Sequence, residues 1–328
     1  MKRRWKAVWA AAAALAIVNG LIGPIGASWA DARIASILPP TNTVSRYMAT
    51  ASTTVHYDLG CARAHTKVSG ALALLYGMPV LVNGKYGASL FSGPDSATTK
   101  IASAAKEFVR GYYECSDDWA PTATYIYVAF STSNYGSRVS FAHGAAWANM
   151  IDDIAAYADG NGYSTKVHVR GGSDMEPSWN SDTITRSWVD GYASTYTKLL
   201  YNVGSADGCP QTGTGGTDGS CNNGWKQSDV FYVSWGADPS VPVPEIYATS
   251  GANAKQWQKI KLYGVVSEDR TMIIVGSLTQ WNACRETGPC NGTDNEPSEG
   301  WQQLYDQLNS DVKTAQGLSF STDMSWEK

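Results

Sequence analysis

The chain reads as an α/β protein, a (β/α)8 barrel of the TIM type in which one crossover helix is missing. Three observations predict this. Short runs rich in Val, Ile, Tyr and Phe alternate with longer amphipathic runs; there are eight short runs; and acidic residues collect where several of them end.

Residues 1–30 read as a signal peptide. Lys2, Arg3, Arg4 and Lys6 precede an apolar run from Ala7 to Val18, and Ser28-Trp29-Ala30 resembles a cleavage site. The apolar run is short for a bilayer span, so an exported, extracellular chain is expected rather than an anchored one. Loss of those four bases takes Lys+Arg from 25 to 21 against 29 acids, a net charge of about −8. Nucleic acid is therefore not an expected partner, and no later segment is apolar enough to hold the protein in a membrane after cleavage. Residues 31–53 hold Pro39-Pro40 among many Ser, Thr and Ala without clear periodicity, and read as a linker or extended arm.

The barrel domain is expected over residues 54–328. Its strands are predicted near 55–59, 78–82, 124–131, 166–173, 229–235, 244–248, 272–279 and 318–323. Helices are predicted near 62–76, 96–114, 141–159, 184–202, 251–262 and 298–315. Only Gly236 to Val243 separates the fifth strand from the sixth, too little for a helix, hence the missing crossover. Residues 204–227 form a Gly/Ser/Thr/Asp-rich insertion; its Gly213-Thr214-Gly215-Gly216 run lacks the GK[ST] and the flanking elements of a phosphate loop.

Six cysteines in an exported chain favour disulfides. Proximity suggests Cys209 with Cys221 and Cys284 with Cys290, leaving Cys61 with Cys115. Zinc is disfavoured by the absence of a CxxC pair and the scatter of four His. No metal or organic cofactor is implied.

The stretch Val167 to Trp179 carries the chemistry. An apolar strand and two glycines lead into Asp174-Met175-Glu176, whose acids share one face with Cα atoms roughly 6.6 Å apart at strand geometry. Such a pair suits glycoside cleavage: one carboxyl kept protonated beside a charged neighbour serves as general acid, while the other stabilises positive charge on the sugar. Glu176 is the expected acid and Asp174 its companion, stabilising the cation or orienting a substrate N-acetyl group. Asp58 and Asp323, at the ends of the first and last predicted strands, would tune charge and bind hydroxyls. Each has a structural alternative, Asp58 as a helix cap and Asp323 in an ion pair. Trp179, Trp235 and Trp326 lie at or beyond strand ends, where an indole can stack on a sugar face, while Tyr247 and Gln280 could hydrogen-bond a hydroxyl or acetamido group. Trp147, Trp188, Trp257 and Trp301 lie in helical runs and read as core.

An acid after the first strand, Asp-x-Glu after the fourth and an Asp after the eighth resemble the family 25 glycoside hydrolases, the barrel muramidases that cut peptidoglycan. The chain is also similar, over most of residues 55–326, to secreted actinobacterial proteins with a glycoside-hydrolase-like barrel. That likeness is carried by Tyr57-Asp58-Leu59-Gly60-Cys61, Gly204-Ser205-Ala206-Asp207-Gly208-Cys209-Pro210 and Pro244-Glu245-Ile246-Tyr247, and it implies the fold without an activity. Family 18 chitinases share Asp-x-Glu on the fourth strand, and Tyr247 and Trp326 could fill two further places. Val169 and Gly172 stand where that family's earlier acids would be. The expected function is thus a secreted, monomeric glycosidase of peptidoglycan or another amino-sugar polysaccharide. A barrel that binds glycan or cell wall without cleaving it is the main alternative, and an adhesion protein working through the 204–227 loop a third.

Overall fold

The structure, a computed structural model, describes residues 38–116 and 124–327. The expected signal peptide and the start of the arm lie outside those residues. Eight parallel strands form one sheet: β1 (Thr43–Tyr47), β2 (Gly70–Leu75), β6 (Ile126–Ser133), β7 (Val167–Asp174), β8 (Leu200–Asn202), β9 (Ser240–Pro242), β10 (Gly276–Thr279) and β11 (Phe320–Trp326). Their spatial order is β10-β11-β1-β2-β6-β7-β8-β9. Beyond β9 the chain runs on beside β10, with Leu278 N donating to Pro244 O at 2.9 Å and Ile246 N to Leu278 O at 2.8 Å. A parallel bridge between Glu245 and Leu278 lies between them, so the sheet is nearly closed into an irregular (β/α)8 barrel.

Period-2 alternation sorts the strand residues into two layers. Ala71, Ala73 and Leu75 of β2 and Ala129 of β6 fill the barrel interior, while Leu72, Leu74, Val128 and Phe130 face the helices. The outer layer is built by α1 (Thr53–His65), α2 (Thr98–Cys115), α3 (Phe141–Gly160), α4 (Asp182–Ala193), α5 (Gln227–Phe231), α6 (Ala252–Ser267), α7 (Trp281–Thr287) and α8 (Pro297–Asn309). Ser52, Ser140 and Ser181 open α1, α3 and α4 by accepting from Val55 N, His143 N and Ile184 N. Trp147, Trp188, Trp257 and Trp301 are fully buried in this layer. Where α1 crosses α2, a Cβ on Gly60 would come within 2.2 Å of Phe108 O, so only glycine permits the approach that the Cys61–Cys115 disulfide also ties. Cys209–Cys221 and Cys284–Cys290 are the other two bridges, all three as expected.

The barrel sheet has eight strands, as expected, but four of the expected ones are replaced. Residues 55–59 lie inside α1. Residues 78–82 form β3 (Met78–Val82), which folds back on β4 (Lys85–Ser89) and then β5 (Ser96–Ala97) as a small antiparallel sheet outside the barrel. The turn is Asn83-Gly84, both at positive φ, the pair that a tight hairpin demands. Residues 229–235 are α5 and a π-helical turn (Tyr232–Gly236), and 244–248 contribute only the bridge to β10. The barrel instead uses β1 from within the expected arm, β2 and β8 from within expected helices, and β9 from the expected loop. With β9 relocated, α5 crosses from β8 to β9 and α6 from β9 to β10, so no crossover lacks a helix. No helix among the described residues is long and apolar enough to cross a membrane.

Candidate active site

The carboxyl ends of the strands open on a cleft of about 650 Å³. Asp174 closes β7, where it pairs with Ser133 of β6, and Glu176 follows on the loop. The loop backbone is clamped by Asn134: its Nδ2 donates to Glu176 O and its Oδ1 accepts from Glu176 N, both at 3.0 Å, while Asn134 N donates to Asp174 O at 2.9 Å. Asn134 itself is buried and donates to Thr185 Oγ1 on α4. The rim continues as a main-chain belt. Val203 N donates to Ser173 O at 2.9 Å and Glu245 N to Gly204 O at 3.1 Å. Gly204 is required there, since a Cβ would lie 2.2 Å from Met175 O.

That belt brings four acids to one cleft: Asp174, Glu176, Asp207 and Glu245. Asp174, Glu176 and Glu245 each present one carboxylate oxygen within 4.8 Å of the others. Asp174 and Glu245 are 4% and 5% exposed, and Asp174 Oδ1 has no hydrogen-bond partner among the described residues. Removal from water is the main force raising all four acids. Burial and then the charge of Asp207 lift Glu176 to about 8. Asp174 is raised by burial, then by Glu176 and Asp207; Glu245 by burial, then by Asp174 and Glu176. A hydrogen bond with Tyr247 partly opposes the rise at Glu245, so Glu245 has help in carrying charge that Asp174 Oδ1 lacks. Three like charges this close cannot all persist, and the cluster shares protons at neutral pH.

Aromatic rings form the walls. Tyr47, Phe91 and Trp326 pack together, with ring centroids 4.8 Å apart for Tyr47–Phe91 and 4.6 Å for Tyr47–Trp326. Trp179 also lines the cleft and packs against Tyr135 at 5.9 Å. Among the expected binding residues, Trp179, Tyr247, Gln280 and Trp326 line the cleft. Gln280 Nε2 is held by Thr293 O and Oγ1.

Three expected residues lie elsewhere. Asp58 is exposed on α1, because the Val55 to Leu59 run is helical. Trp235 sits in the π-helical turn and packs half-buried against the core. Asp323 does lie on β11, but its carboxylate is occupied: it accepts from Thr279 Oγ1 at 2.6 Å, Trp281 N at 2.8 Å and Asn282 N at 3.1 Å, capping α7. Asp207, Glu245 and Asn134 were not anticipated as site residues. Asp207 and Glu245 follow β8 and β9, so a correct placement of those two strands was the signal that would have found them; Asn134 directly follows β6, a strand that was expected.

The three-carboxylate set also has the oxygen donors that a hard divalent cation takes. Cys61 and Cys115, beside His65, are consumed by their disulfide and offer no thiolate. No family model matches the chain, and no curated protein matches it either.

Proposed function

We propose that the protein is an exported glycoside hydrolase acting on an amino-sugar polysaccharide, with cell-wall glycan the first substrate to examine. The observation that carries this reading is a carboxyl held at about 8, Glu176, within 4.8 Å of two other carboxyl groups in an aromatic-walled cleft at the barrel mouth. The cleft volume falls in the range of about 300–1,000 Å³ typical of ligand sites. Three disulfides fit an oxidising, extracellular setting.

Glu176, protonated at neutral pH, gives its proton to the glycosidic oxygen as the bond from that oxygen to the anomeric carbon breaks. Positive charge developing on the sugar meets the negative charge that the carboxyl cluster, Asp207 included, retains. Retaining enzymes hold their carboxyl groups about 5 Å apart and inverting ones roughly 6.5–9.5 Å; with one oxygen of each of Asp174 and Glu176 within 4.8 Å of the other, the retaining course is the one proposed. Asp174 would then attack the anomeric carbon itself or orient an N-acetyl group of the substrate to do so. Glu176, left ionised, takes the proton of the water that completes hydrolysis.

The test is reducing-end release from peptidoglycan, chitin, deacetylated chitin and plant and fungal glycans, with Glu176→Gln as control. Release from at least one polymer, lost in the variant, is the expected result. Retention of an insoluble glycan without release, equal in both proteins, would replace the hydrolase with a binding barrel.

A further inference from the structure

The cleft is one-sided in its chemistry. Four of its lining residues are acids, and no Lys, Arg or His is among the described residues that line it. Its buried, unsatisfied polar atoms are one-sided too. Asp174 Oδ1 and Gln256 Oε1 both belong to cleft-lining residues, 4% and 6% exposed, and neither has a hydrogen-bond partner among the described residues. Gln256 Oε1 is an acceptor, and Asp174 Oδ1 becomes one when its carboxyl gives up its proton to an incoming base. Gln256 is oriented this way because its Nε2 donates to Cys209 O.

A site that displays buried acceptors and negative charge calls for a ligand that brings donors and positive charge. A neutral sugar hydroxyl brings one donor together with acceptor lone pairs, and leaves the charge uncompensated. An N-acetyl group brings a carbonyl oxygen that carboxylates repel. A protonated primary amine brings three donors, no acceptor and a full charge. The walls suit it as well, since Tyr47, Trp179, Tyr247 and Trp326 line the cleft and aromatic rings attract ammonium groups.

We propose that the cleft takes a saccharide bearing free amino groups, a deacetylated amino sugar, with its ammonium seated among Asp174, Asp207 and Glu245. This rests on the reading of the cleft as a saccharide site, and it sharpens that reading: an amine has no acetamido oxygen to attack from within the substrate, which leaves Asp174 to act directly. Asp207 is the least buried of the three, on the loop after β8, and is the anion that meets the incoming cation first.

The experiment is calorimetric titration of Glu176→Gln protein, which binds without cleaving, with glucosamine oligosaccharides and their fully N-acetylated counterparts at pH 6 and low salt. The free amines are expected to bind at least about tenfold more tightly, a preference that shrinks severalfold when Asp207→Asn is added. Equal affinity, preference for the acetylated chains or binding of neither overturns the proposal. If the amine preference holds but the wild type cleaves no glycan, the hydrolase reading fails and this one stands. If the wild type cleaves acetylated chains and binds them at least as tightly, the reverse is true.

Discussion

Two acids of the barrel strands, Asp174 at the end of β7 and Asp323 midway along β11, have opposite roles. Asp323 accepts three hydrogen bonds and closes the N-terminus of α7. Asp174 is almost as deeply buried, yet its Oδ1 has no partner and its neighbours Glu176, Asp207 and Glu245 are acids. Burial raises both. At Asp323 the donors on Thr279, Asn282 and Trp281 pull back against that rise; at Asp174 the surrounding charges add to it. A place on a barrel strand therefore selects candidates, and the accounting of hydrogen-bond partners separates the acid that holds the fold from the one held in readiness.

The comparison can be broken most decisively at Glu176. Glu176→Gln keeps the shape and removes the proton donor, so glycan cleavage should fall about 100- to 10,000-fold while the melting temperature holds or rises. Asp323→Ala should behave in the opposite way. Two backbone N–H groups of α7 and the Thr279 hydroxyl lose their acceptor, lowering stability by about 2–4 kcal/mol in denaturant titration. The turnover of the protein that remains folded should be preserved. If Asp323→Ala removed activity without loss of stability, the assignment of the two acids would be inverted.

Stability against pH sharpens the same contrast. Glu176 has a folded-state value of about 8, above the ordinary glutamate value of 4.5 in an unfolded chain. Between those values the folded state binds the extra proton, so its contribution is fully present below about 4.5 and is lost as pH rises toward 8. Asp174 and Glu245 shift in the same direction and add to the slope. The melting temperature should therefore decline from pH 5 to pH 8, and the decline should be shallower in Glu176→Gln. Activity should fall on the alkaline side as Glu176 ionises.

Smaller effects are expected at the walls. Trp179→Ala should raise KM about threefold to tenfold with a lesser change in kcat, since the indole offers stacking area and no proton. Millimolar Ca²⁺ or Mg²⁺ should compete with the proton for the three-carboxylate set and depress the rate modestly, and a chelator should leave it unchanged.

The extent to which the sequence foretold this molecule follows its physics. Strands β6, β7, β10 and β11 were legible because their runs fell between clear helical stretches. Gly70 to Leu75 was not: Ala and Leu favour a helix locally, and only burial on both faces makes that stretch a strand. Three-residue strands such as β8 and β9 are too short to show any period. The displaced strand at 78–82 carried its own warning in Asn83-Gly84, a hairpin signal that a parallel barrel strand has no use for. Errors at the site have the same origin. Asp174 and Glu176 were found because β7 was found, and the three disulfides because spacing was enough; Asp207 and Glu245 were hidden behind β8 and β9. Asp58 looked like a strand-end acid only while Val55 to Leu59 looked like a strand.

The account depends on a carboxylic acid that stays protonated at neutral pH in the barrel mouth, and that state can be observed without any substrate. Infrared difference spectra between the wild type and Glu176→Gln, recorded from pH 4 to pH 10, isolate the carbonyl stretch of the Glu176 carboxyl. The account predicts that this band persists through pH 7 and titrates away near pH 8. Its disappearance near pH 4.5, the ordinary value for a glutamate in water, would contradict it.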